Sequence, residues 1–174
     1  ATARALTGRY EEAMHHAVLA RDTAYQIDSR AWAARAEVVI AFVHGLQGRY
    51  SQAHALLDEV EAKLYAIDLP VLTAEHYLRR GMIYLEENRT DEAVGSLEDA
   101  YQTAFDKNLI NVQIDILKTL AIAYEKFNDM AGVVNTYRRM TEGVVRQQQR
   151  GADLRCAVLK AVFDINRESL ESQA

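Results

Sequence analysis

The chain of 174 residues has little of what usually shapes a fold from outside its core. It has one cysteine, Cys156, so an internal disulfide is excluded, and the expected setting is a reducing compartment such as the cytoplasm. It has one proline, Pro70, and only eight glycines, which leaves little to interrupt long helices. No apolar run approaches the roughly 20 residues needed to cross a bilayer, and no membrane partner is expected. A net charge of −5 removes the basic excess typical of nucleic-acid binders. The charge is uneven, since Arg138 to Lys160 holds six basic residues against Glu142 and Asp153. That stretch reads as a solvated face of the last helices, and no nucleic acid is expected.

Catalytic signatures are missing too. There is no Gly-x-x-x-x-Gly-Lys phosphate loop and no Gly-x-Ser-x-Gly elbow. Five histidines, His15, His16, His44, His54 and His76, include no pair at the i, i+4 spacing that places two metal ligands on one helix face. The carboxylate pairs Asp58-Glu59, Glu86-Glu87 and Asp91-Glu92 are adjacent in sequence, whereas acid–base catalysis needs groups that converge in a pocket. Cys156 reads as a buried or half-buried helical thiol. The expectation is a non-enzymatic chain with no cofactor and no metal.

What the sequence does contain is a repeat. Gly8-Arg9-Tyr10-Glu11-Glu12-Ala13 returns as Gly48-Arg49-Tyr50-Ser51-Gln52-Ala53, as Asn88-Arg89-Thr90-Asp91-Glu92-Ala93 and, degenerately, as Asn128-Asp129-Met130-Ala131-Gly132-Val133. The period is 40 residues throughout. A fixed period of roughly 20 to 50 residues indicates a stack of equal units.

Aligned by that period, Ala1, Ala41, Gly81, Ala121 and Ala161 form a column of small residues, which permits close helix crossings. Three more columns are spaced by four and then three residues and so share one helix face: Ala13, Ala53, Ala93, Val133; then Ala17, Leu57, Leu97, Tyr137; then Ala20, Val60, Ala100, Met140. Each unit therefore reads as helix A, a short turn at the Gly/Asn signal, and helix B. Block one runs from about Ser29 to Ile67, with Asp28 or Ser29 as N-cap. Block two opens at Pro70 in the first turn of a helix. Its end is marked by Asn108, a residue that tolerates the left-handed conformation, and block three starts near Ile110. Turns are expected near 8, 48, 88 and 128. No Gly or Asn stands near 168, so a last helix is expected over 153–174, after repeats spanning 1–152. The absence of period-two alternation makes the chain all-α, an α-α superhelix of stacked hairpins. The chain starts mid-repeat and is expected to be a piece of a larger protein.

These columns resemble the tetratricopeptide repeat. The small residue in helix A is followed three positions later by tyrosine (Tyr84, Tyr124), and the turn carries Gly-x-Tyr at Gly8 to Tyr10 and Gly48 to Tyr50. The match departs in its 40-residue length, in Glu37 where Tyr77 and Leu117 stand, and in His44 where Tyr84 and Tyr124 stand. The longer repeat is similar to those of bacterial signalling and transcription-regulator proteins. The segment Leu159 to Glu171 resembles the exit helix that joins such repeats to a linker in GGDEF diguanylate cyclases.

The resemblance implies a right-handed superhelix whose concave side is lined by helix A. It also places groove positions at Arg35, Val38 and Phe42, at Glu75, Leu78 and Met82, and at Asp115, Lys118 and Ile122. The expected partner is a protein or peptide held in that groove, with relay to a C-terminal output and a possible homodimer through the terminal helices. A regulatory domain of a transcription activator and a structural scaffold are the alternative expectations.

Overall fold

A computed structural model describes residues 2–171, with side chains described for 9–153 and for Arg155, Cys156 and Lys160. Seven helices follow one another: α1 (Thr2–Gln26), α2 (Arg30–Leu46), α3 (Tyr50–Ile67), α4 (Pro70–Glu86), α5 (Thr90–Asp106), α6 (Ile110–Lys126) and α7 (Met130–Glu171). The described residues contain no strand. From α2 to α7, helix starts fall 20 residues apart, so the 40-residue unit is a hairpin of two equal halves.

The halves are cut by one recurring device. Asp28, Gly48, Asp68, Asn88, Asn108 and Asn128 all have positive φ, between 48° and 73°. These are the residue types that tolerate the left-handed region, because glycine has no Cβ and a short polar side chain stabilises it locally. At five of the six junctions the third amide beyond the helix returns to a carbonyl in its last turn, as in Arg49 N to His44 O at 2.9 Å and Leu109 N to Ala104 O at 2.8 Å. This closure satisfies carbonyls that the helix end leaves open. Pro70 occupies the first turn of α4, as expected, whereas Ser29 stands at the N-cap of α2 without a side-chain bond.

Packing follows the columns. Ala53, Ala93 and Val133 are buried at 0%, 0% and 6% exposure, and Ala41 and Ala121 at 0% and 4%. Gly81 is where α4 and α5 approach most tightly, since a Cβ there would lie 2.6 Å from Leu97 Cγ. Leu57 and Leu97 are fully buried, each contributing about 2 kcal/mol of transfer free energy. Two clusters form the core, one around Val38, Leu57 and Ile83 and one around Leu97, Ile116 and Leu120.

Curvature can be read from which helices touch. Each A helix packs its backbone closely against the next, α2 on α4 and α4 on α6, while among the described residues successive B helices (α1, α3, α5, α7) stay further apart and are bridged only by long side chains, as where Arg139 on α7 reaches Glu98 on α5. The A side is therefore the crowded, concave side of an α-α superhelix.

Three expectations differ from the structure. Gly8 lies inside α1, which runs unbroken from Thr2. The boundary at 152–153 is absent, because α7 continues through Gly151 to Glu171. Position 148, where the 20-residue spacing would put the next left-handed residue, holds glutamine. Ala13, Ala20 and Tyr137 stand in core columns but are exposed, since among the described residues no helix covers those faces. Ala1, the side chain of Ala161 and residues 172–174 lie outside the described residues.

Candidate functional site

Two regions combine exposed apolar surface with charge that the core does not use. The first is the concave strip of α2 and α4. Arg35 reaches from α2 to Glu75 on α4, Nε to Oε2 3.1 Å, and its guanidinium lies 5.7 Å from the Trp32 ring. Trp32 is 61% exposed and Val71 46% exposed, and together with Ala31, Leu69 and Leu72 they line a cleft of about 230 Å³ beside the Arg35–Glu75 pair. One turn further along, Arg79 lies over the Phe42 ring at 4.5 Å and points its Nη1 at Met82 Sδ, 3.9 Å away. Arg79 has no carboxylate partner among the described residues, and its Nε is buried without an acceptor.

Of the expected groove residues, Arg35, Glu75, Phe42 and Met82 meet on this strip. Leu78 is half-buried against the second core cluster. Asp115 and Lys118 are exposed and pair with each other along α6 at 2.8 Å, and Ile122 is 60% exposed on the same helix. Val38 requires correction. It is 0% exposed and packs in the first core cluster with Ala34, Ala41 and Leu57, so it offers nothing to a partner. The concave face of α2 runs instead through Trp32, Arg35 and Phe42. Arg79 and Trp32 were missed by the sequence reading. Trp32, the lone tryptophan, precedes Arg35 by three residues, and that spacing was the available signal.

The second region is the joint between α3 and α4. Glu61 accepts from Tyr77 Oη at 2.9 Å and from Arg80 Nη1 at 2.5 Å, while Arg80 also bridges to Asp58. His76 is fully buried beside them, with Nε2 3.8 Å from Glu61 Oε2 and neither ring nitrogen hydrogen-bonded. Burial, reinforced by the Arg80 charge, pushes His76 down to about 4. Burial and the bond to Glu61 raise Tyr77 to about 12. Glu61 itself feels burial pushing it up, but the bonds from Tyr77 and Arg80 outweigh this and leave it below the ordinary carboxylate value. One 40-residue unit on, at the α5–α6 joint, the same columns hold Tyr101, Ile116 and Leu120, all buried and uncharged. The α3–α4 joint is thus charged where the α5–α6 joint is not. Glu61, Tyr65, Tyr77 and Lys107 line a cleft of about 240 Å³ next to it.

Two smaller polar arrangements explain departures in the sequence. Glu37, 5% exposed, accepts from Tyr25 Oη at 2.5 Å and Lys63 Nζ at 2.6 Å, tying α1, α2 and α3 together. The basic stretch of α7 is not simply solvated. Arg139 makes a bidentate pair with Glu98 at 2.7 and 2.8 Å over the Tyr101 ring, Arg146 lies 5.0 Å from the Phe105 ring, and Arg150 donates to Asn108 at 2.8 Å. These groups fasten α7 to the body. Cys156, expected buried or half-buried, is exposed.

No group of three or more His, Cys, Asp or Glu among the described residues is arranged to hold a metal ion, and no described helix is long and apolar enough to cross a membrane. No protein-family model matches the chain, and no match was found among curated proteins.

Proposed function

We propose that this chain is a non-catalytic repeat module of the tetratricopeptide type that binds a protein segment on the concave strip of α2 and α4 and relays the event along α7. The observation that carries this reading is Arg79, a guanidinium stacked on Phe42 beside Met82 and without a carboxylate partner among the described residues. A cation held over an aromatic ring amid apolar side chains is a receptor for an acidic residue flanked by apolar ones. The cleft at Trp32 supplies a second anchor, and tryptophan and arginine are the residue types that dominate binding energy at interfaces. A peptide bearing one carboxylate and one large apolar side chain fits both.

The relay follows from the architecture. Each unit touches only its neighbours, so a small change of angle between α2 and α4 adds along the stack to α7. The resemblance makes a GGDEF-type cyclase the favoured output, with binding of the partner in the cytoplasm. The test is selection of peptides from a random display library on the immobilised chain, repeated on Arg79→Ala and Trp32→Ser. Recovered peptides that share an acidic-apolar pattern and lose at least tenfold in affinity on both variants support the proposal. Peptides that bind all three proteins equally refute it.

A further inference from the structure

The segment 150–166 carries the pattern of an A helix yet is built as the far half of α7. By the 40-residue period Leu154 stands in the column of Ala34 and Ala74, Val158 in that of Val38 and Leu78, and Ala161 in the small column of Ala41, Gly81 and Ala121. Cys156 stands in the column of Ala36, His76 and Ile116, whose exposures are 7%, 0% and 0%, and yet Cys156 is exposed. The helix runs straight through Gln148, which occupies the position filled by Asp, Asn or Gly at each junction from 28 to 128. A helix that continues straight here carries 150–166 away from its own body.

The face that such a helix would cover is open. Tyr137 and Val144 on α7 are 51% and 40% exposed, whereas Leu97 and Ala104, their counterparts one unit earlier under α6, are both at 0%. Ile122 on α6 is likewise 60% exposed, against a half-buried Met82. Charge agrees as well. The pair Arg35–Glu75 joins one A helix to the next, and at the same column Asp115 on α6 would face Arg155 of an incoming segment.

From these observations we infer that two copies of this chain exchange the segment 150–166, each seating it on the open α6–α7 face of the other. The register is fixed by the α5–α6 joint, where Gln113 donates to Ala104 O across the turn at Asn108. Advanced by one unit, that contact becomes 153 against 144. Two straight α7 helices lying antiparallel about a dyad between Gln148 and Gln149 reproduce it between copies. The exchanged segment would repeat the contacts that α6 makes with the preceding hairpin, and a two-fold axis closes the assembly at two copies. The far ends of α7 then point in opposite directions, about 65 Å apart along the helices at 1.5 Å per residue. The inference stands independently of what the concave strip binds.

The same register brings position 141 of one copy against 156 of the other, the counterparts of Tyr101 and Ile116. The test is mass by light scattering on the 174-residue chain, with disulfide trapping of Thr141→Cys against the native Cys156. Expected are a dimer in solution, a covalent dimer linked 141 to 156 between copies in Thr141→Cys, and a weaker dimer in Gln148→Gly, which permits the left-handed residue of the earlier junctions. Four results overturn the inference: a monomer without cross-link, a monomer with an intramolecular 141–156 disulfide, a Cys156–Cys156 link between wild-type copies as in a parallel pair, or a dimer that does not trap through 141.

Discussion

Removing the Glu61 carboxylate tests whether the α3–α4 joint is held by charge. In Glu61→Ala, Tyr77 and Arg80 lose their acceptor, and Arg80 keeps only the exposed Asp58 while His76 stays unpartnered beside it. Breaking one side of a buried ion pair costs roughly 3–5 kcal/mol. Glu61 is 27% exposed, so water recovers part of this and about 2–4 kcal/mol is expected. For a chain of this length that corresponds to a fall in Tm of about 5–15 °C. Writing the α5–α6 joint into the α3–α4 joint, by Glu61→Tyr, His76→Ile, Tyr77→Leu and Arg80→Leu together, replaces each of these members by the residue of the matching column, leaves only the exposed Asp58, and is expected to be neutral or stabilising by about 1–4 kcal/mol. Urea denaturation at pH 7, followed by far-UV circular dichroism, measures both. A loss below about 1 kcal/mol in Glu61→Ala, or a quadruple variant as unstable as the single one, refutes the reasoning.

The other predictions are independent of that joint. His76 is neutral in the fold down to about 4, whereas the unfolded chain takes up its proton near 6.5, so its contribution is whole above pH 6.5 and is lost as pH falls from 6.5 towards 4. Stability should drop by up to about 3 kcal/mol over that window at this site, a slope that His76→Ile lacks in urea titrations. Asn88→Ala should cost about 1 kcal/mol at a φ of 60°, and Asn88→Gly should not, as thermal melts will report. Arg139→Ala removes a bidentate pair to Glu98 and a ring contact, and faster amide exchange in the first turns of α7 is the expected readout.

Most of the fold was legible because the packing columns and the junction residues repeat with one period. Gly48, Asn88, Asn108 and Asn128 mark junctions by chemistry, and Ala53, Leu57 and Val60 mark the core face by spacing. The ends were harder, since a column tells which face is apolar but not whether a neighbour exists to cover it. Tyr137 and Ala20 are exposed for that reason. Gly8 failed as a turn because glycine permits a left-handed residue without demanding one. At the candidate site, register brings Arg35, Glu75, Phe42 and Met82 onto one strip of α2 and α4. Val38 was not, because adjacent helix positions are about 100° apart and a one-residue error turns a groove position into a core one. Arg79 and the Glu61–His76–Arg80 cluster were invisible because their meaning lies in contacts between helices.

The claim that the concave strip of α2 and α4 is the binding face is tested most directly by amide hydrogen exchange of the chain with and without a selected acidic-apolar peptide. Slowed exchange concentrated in α2 and α4, around Trp32 to Phe42 and Glu75 to Met82, is the predicted result. Slowing confined to the B helices α3 and α5, with α2 and α4 unchanged, would contradict it.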